Sequence, residues 1–132
     1  MCQKLQIFLK ENKANFLVKY DSIRKTNKYT VMLFDTEKKE RISGGDTNSI
    51  VETEQNMRNE INKNIDFEDI NNLFDKIRNS INVEFNHVVM LSINYSHGIL
   101  DYVIYIDEPK NTSHNKFHSY EELEGFVKKN YG

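Results

Sequence analysis

The sequence predicts an α+β fold in which a mainly antiparallel sheet of four or five strands packs with about four helices, residues 1–132 forming one unit. Three observations carry that expectation. Apolar residues recur at helical spacing through 70–81, alternating apolar positions match across a turn at His97-Gly98, and strand-like segments come in a run before the helices instead of alternating with them. A length of 132 residues suits one hydrophobic core and is too short for two.

In chain order, Cys2, Leu5, Phe8 and Leu9 form a narrow apolar stripe on a helix over 2–12, suited to packing on a sheet. Residues 15–20 alternate Phe16, Val18 and Tyr20, and residues 29–34 combine Tyr29, Val31 and Leu33 with Met32 and Phe34; both read as strands. A third strand around Arg41 and Ile42 is expected to be broken by Gly44-Gly45. Ser49 and Glu52 make a capping box for a helix reaching about Asn64, with a thin stripe of Ile50, Met57 and Ile61. Asp66 is the expected cap of the next helix, whose Ile70, Leu73, Phe74, Ile77 and Ile81 give the clearest helical period in the chain.

The next segment predicts its own register. A glycine tolerates the positive φ of a tight hairpin turn, and folding the chain about His97-Gly98 pairs Tyr95 with Leu100, Ile93 with Tyr102, Leu91 with Ile104 and Val89 with Ile106. All are apolar and share one face, whereas a slip by one residue destroys the match. The other face pairs Ser92 with Val103 and Met90 with Tyr105 between polar ends. Pro109 is expected to end the hairpin in a polar loop, after which Ser119 and Glu122 box the start of a helix carrying Tyr120, Leu123, Phe126, Val127 and Tyr131.

Composition narrows the function classes. A single cysteine excludes a disulfide framework, and the absence of a long apolar run or a signal-like start predicts a cytoplasmic protein with no membrane role. Asparagine (17), lysine (14) and isoleucine (13) are abundant, a bias expected of AT-rich coding sequence as in low-GC bacteria, their phages and mobile elements. The net charge of -2 is unevenly spread: residues 1–45 carry +5, residues 46–75 carry -6 and residues 76–132 carry -1.

That asymmetry supplies two candidate surfaces. The acidic helices offer Glu52, Glu54, Glu60, Glu68, Asp69, Asn72 and Asp75 to a protein partner with a basic surface, such as a nucleic-acid-binding effector. The expected function is a non-enzymatic, cofactor-free regulator or inhibitor, compatible with a phage or mobile-element inhibitor of a bacterial defence system of the anti-CRISPR kind. The alternative is nucleic-acid binding through Lys19, Arg24, Lys25, Lys28, Lys38, Lys39 and Arg41, interleaved with Tyr20 and Tyr29 as stacking platforms.

Catalytic and metal patterns are weaker. His114 and His118 have the spacing with which a helix presents two imidazoles to zinc, but the Ser119 cap leaves His114 outside the helix, and no Cys-x-x-Cys completes a site. Glu108-Pro109-Lys110 near Asp101 and Asp107 fits a Glu-x-Lys fragment of metal-dependent nucleases, a pattern that Glu11 and Glu37 also begin. Ser43 to Thr47 sits where backbone N–H groups could hold phosphate, although Asp46 opposes an anion and the phosphate-loop lysine is missing. No catalytic residue and no metal ligand is therefore assigned.

Overall fold

The hairpin forms in the expected register. Tyr95 faces Leu100, Ile93 faces Tyr102, Leu91 faces Ile104 and Val89 faces Ile106, with His97 and Gly98 at positive φ in the turn. The computed structural model describes residues 2–81, 84–109 and 111–132. In chain order its elements are α1 (Gln3–Asn12), β1 (Ala14–Asp21), β2 (Tyr29–Asp35), β3 (Glu40–Thr47), α2 (Ile50–Ile61), α3 (Glu68–Asn79), β4 (Val88–Ser96), β5 (Ile99–Glu108), β6 (Asn111–Phe117) and α4 (Tyr120–Asn130). The fold is α+β, and its one antiparallel sheet has six strands in the order β3-β2-β1-β4-β5-β6, not four or five.

Two local readings account for the difference. The segment expected as a polar loop after Pro109 is β6, which pairs with β5 from Glu108–Asn111 to Tyr102–Phe117. The Gly44-Gly45 pair does not break β3, because the strand runs on to Thr47. Gly44 adopts φ +94°, and a Cβ there would run into the Val31 carbonyl oxygen, so glycine lets the backbones approach beside the bulge at Leu33/Phe34.

One face of the sheet is covered. Phe16, Val18, Val31, Leu33, Leu91 and Ile104 join Leu5 and Leu9 of α1, Met57 of α2, Ile70, Phe74 and Ile77 of α3, and Leu123 and Val127 of α4 in one buried cluster. Alternation along the strands therefore sends the other set of side chains away from the helices. On that open face lie Leu17, Met32, Phe34, Met90, Val103 and Tyr105, outside the core cluster.

The helix ends follow the capping chemistry, with one exception. Ser49 Oγ accepts from the Glu52 N–H at 3.2 Å and Ser119 Oγ from the Glu122 N–H at 3.1 Å. α2 stops at Ile61, earlier than expected, where Asn62 turns into the left-handed region at φ 52°. Asp66 does not cap α3, whose N-cap position is Phe67. Its carboxylate instead accepts the Leu5 and Lys4 N–H groups at 2.9 and 3.4 Å, so the α2–α3 connection caps α1 from across the fold. Burial of Ile65 and Phe67 on either side holds that connection in place.

Candidate functional site

α2 and α3 lie on the covered face and are linked by a polar contact. The buried side of α2 is Ile50, Glu54, Met57 and Ile61, at i, i+4, i+7 and i+11. Glu54 thus belongs to the inward stripe, only 4% exposed, with its carboxylate oxygens 2.7 and 2.6 Å from Asn71 Nδ2 of α3. Desolvation pushes its pKa from 4.5 up to about 7, against the pull of the Asn71 hydrogen bond and Arg58. Glu54 is therefore removed from the expected contact surface, because a carboxyl sealed between two helices reaches no partner. Arg58 ties the same junction together, its Nε donating to the Ile65 carbonyl at 2.8 Å while its guanidinium lies over the Phe67 ring.

The remaining acidic candidates divide by helical phase. Glu52 stands exposed on α2, and Glu68, Asn72 and Asp75 form an exposed ridge on α3. Glu52, Glu68 and Asp75 have no cation within ion-pair distance among the described residues, whereas Glu60 turns toward β3 and meets Arg41 at 3.6 Å. Asp69 is half-buried at the margin. Partial burial raises the Asp75 pKa, opposed by Arg78.

The basic candidates do not gather. Lys25 and Lys28 occupy the β1–β2 connection, and Lys38 and Lys39 the β2–β3 connection at the other end of β2, separated by about 20 Å of strand. Arg24 is paired with Asp21 at 3.6 Å and Asp46 at 3.0 Å, and Arg41 with Glu60. Lys19 is half-buried on the open face, between Thr30 and Met90. Tyr20 and Tyr29 pack against the core beneath Arg78, whose guanidinium lies 5.2 and 5.7 Å from the two ring centres. Rings packed on the core and beneath a guanidinium present only part of their faces to solvent, which leaves these two positions poor platforms for stacking on bases.

The catalytic patterns are dispersed too. His114 lies in β6, where four residues span about 13 Å, so the helical geometry with His118 is lost. His118 Nδ1 instead meets Asp101 Oδ1 at 2.9 Å, beside Lys116 at 3.2 Å from the same carboxylate, and these contacts hold the Asp101 pKa below its usual value. Asp107 accepts from Thr112 Oγ1. It stands six residues from Asp101 along β5, about 20 Å. Lys110 of the Glu-x-Lys fragment lies outside the described residues. Among those described, no group of three His, Cys, Asp or Glu side chains converges on a point where a metal ion could sit. Ser43 to Thr47 is strand, with Asp46 bonded to Thr30 Oγ1 at 2.6 Å, so it forms no phosphate cradle. Cys2 is fully buried, and burial with the nearby Asp66 charge pushes its thiol up to about 12, far from a reactive thiolate.

The open sheet face was only glimpsed in the sequence. Around Leu17, Met32, Phe34, Met90 and Val103 it forms a shallow groove of about 440 Å³. The hairpin register exposed the Met90, Val103 and Tyr105 part; the Leu17, Met32 and Phe34 part needed the β1–β4 pairing, which no local signal announces. No helix among the described residues is long and apolar enough to cross a membrane. No protein family, curated protein or solved structure matches the chain.

Proposed function

We propose that the chain is a non-enzymatic protein-binding regulator or inhibitor that sets its α2–α3 surface against a basic surface of its target. One observation carries the reading: Glu52 on α2 and Glu68 and Asp75 on α3 are each exposed, and none is ion-paired among the described residues. Such charges act on a partner at a distance and raise the encounter rate, and a short ridge of fixed carboxylates complements a groove of arginine and lysine. A target that holds nucleic acid in that groove is then inhibited by occlusion. This is the mode expected of a phage or mobile-element inhibitor of a bacterial defence effector.

The basic residues of β1–β3 support nucleic-acid binding less well, because they lie at opposite ends of the sheet and two of them are already neutralised. The test is association kinetics with a target captured on the immobilised full chain. Reversing Glu52, Glu68 and Asp75 to lysine is expected to slow association about tenfold or more at low ionic strength, with the helical content unchanged by circular dichroism. The wild-type on-rate is expected to fall as salt rises. A folded triple variant that associates at the wild-type rate overturns the reading.

A further inference from the structure

The sheet has two edges, and the chain treats them differently. At β3 the bulge beside Leu33/Phe34 and the turn of Gly44 to φ +94° bend the strand. The Gly44 carbonyl accepts Arg41 Nη1 at 3.0 Å, and Glu60 of α2 reaches the same guanidinium. Such devices stop a sheet from adding another strand. β6 lacks the bulge and the glycine: Asn111–Phe117 holds neither glycine nor proline and pairs with β5 in one unbroken register. Its one lysine, Lys116, is turned back to Asp101 of β5 at 3.2 Å.

The hairpin register says which groups point off this edge. In a two-residue hairpin the closing pair, here Ser96 with Ile99, exchanges both backbone hydrogen bonds, so the odd-numbered residues of β5 bond to β4. The even ones bond to β6, which makes Ile104 with Asn115 and Ile106 with Ser113 bonded pairs. The N–H and C=O of the exposed Thr112, His114 and Lys116 therefore point away from the sheet, where no further strand lies among the described residues.

These three residues are symmetric about His114. An antiparallel second copy of β6 centred there sets His114 against His114 and Thr112 against Lys116, which pairs every outward N–H and C=O of both strands. A shifted register leaves one of the three opposite no residue of β6, and the centred one keeps the two Lys116 side chains apart. On the covered side Phe117, Phe126 and Tyr131 are half-buried, with successive ring centres 5.0 and 6.1 Å apart, so core packing runs out to this edge and ends in exposed ring surface. That surface gives a second chain apolar area to bury, without which backbone groups gain little by exchanging water for a partner.

We propose that β6 is the contact of a symmetric dimer, in which two six-stranded sheets join edge to edge through antiparallel β6 strands centred on His114. The pairing does not rest on the acidic surface or on its target.

The experiment follows the full chain by sedimentation equilibrium from micromolar to millimolar concentration, over which the mass is expected to rise from one chain to two. His114→Pro removes the N–H at the centre of the contact, at an edge position that tolerates proline, and is expected to leave a folded monomer throughout, with circular dichroism unchanged. His114→Lys keeps the backbone groups but sets like charges opposite each other, and is expected to weaken association about fivefold or more. Amide exchange at Thr112, His114 and Lys116 is expected to slow as the wild-type concentration rises, while Ser113 and Asn115, bonded to β5, stay unchanged. A wild type that remains one chain overturns the proposal. So does a dimer that survives His114→Pro, or one whose concentration-dependent protection falls on other amides. If His114→Pro does not fold, His114→Lys and the exchange pattern decide.

Discussion

Met90 and Leu91 are neighbours on β4, both apolar, and the sheet sends them to opposite fates. Leu91 is wholly buried against the helices with Val18 and Ile104 as its strand partners. Met90 stays half-exposed on the open face between Lys19 and Tyr105. An antiparallel sheet covered on one side ordinarily turns polar residues to water on the other. Here the open face keeps Leu17, Met32, Phe34, Val103 and Tyr105 beside Met90, so the two faces differ less in composition than in what covers them. The helical layer adds the opposite feature, an outer surface on which Glu52, Glu68 and Asp75 are exposed. The molecule thus offers two distinct outer surfaces, one apolar and one acidic, on opposite sides of the sheet.

The largest expected effect tests the contrast within β4. Leu91→Asp buries a carboxylate with no partner and should destabilise by several kcal/mol, about 3–5, read as a lowered thermal midpoint or loss of the cooperative transition. Met90→Asp places the same group at a half-exposed position and should cost about 1 kcal/mol or less. Equal losses would mean that the two faces are equally buried, contrary to the alternation.

A middle-sized effect tests how the helical layer is held. Asp66→Ala removes the acceptor of the Leu5 and Lys4 N–H groups and should cost about 1 kcal/mol, as for other helix caps. Asp66→Asn keeps an acceptor and should recover most of that loss in the same denaturant titration. If Asp66→Ala instead left α1 protected and its hydrogen exchange unchanged, the cap would be decorative.

Which of these features could be read in advance depends on how local their causes are. The β4–β5 register was legible because a tight turn converts alternation in sequence directly into cross-strand pairs, and the α4 cap because Ser119 and Glu122 are three residues apart. β6 was not, because Asn111 to Phe117 is an edge strand of mostly polar residues whose pairing comes from β5 rather than from its own pattern. Asp66 misled because a capping residue carries no label saying which helix it caps; its partner is 61 residues away. Glu54 could have been suspected. It fills the gap between Ile50 and Met57 in an otherwise apolar period, and that position weighs against counting it with the outward acids. The α2–α3 surface was legible in its exposed members, Glu52, Glu68, Asn72 and Asp75, and illegible where a residue's neighbour lay on another element, as with Glu60 and Arg41.

The smallest expected effect on stability is also the one that sets the two outer surfaces against each other. Met32→Ser with Met90→Ser trims the apolar band at two half-exposed positions without adding charge, so stability should change by about 1 kcal/mol or less. If the partner sits on α2–α3, this variant should bind it with wild-type kinetics, since the sheet lies between the two surfaces. The lysine variant at Glu52, Glu68 and Asp75 should show the converse pattern: equal stability and slowed association. An apolar contact, unlike a steered one, is governed by the dissociation rate and depends little on salt. A partner that dissociates faster from the serine variant, yet associates normally with the lysine variant at every ionic strength, would therefore move the binding site to the groove around Leu17, Phe34 and Val103 and leave the acidic ridge as solvated helix surface.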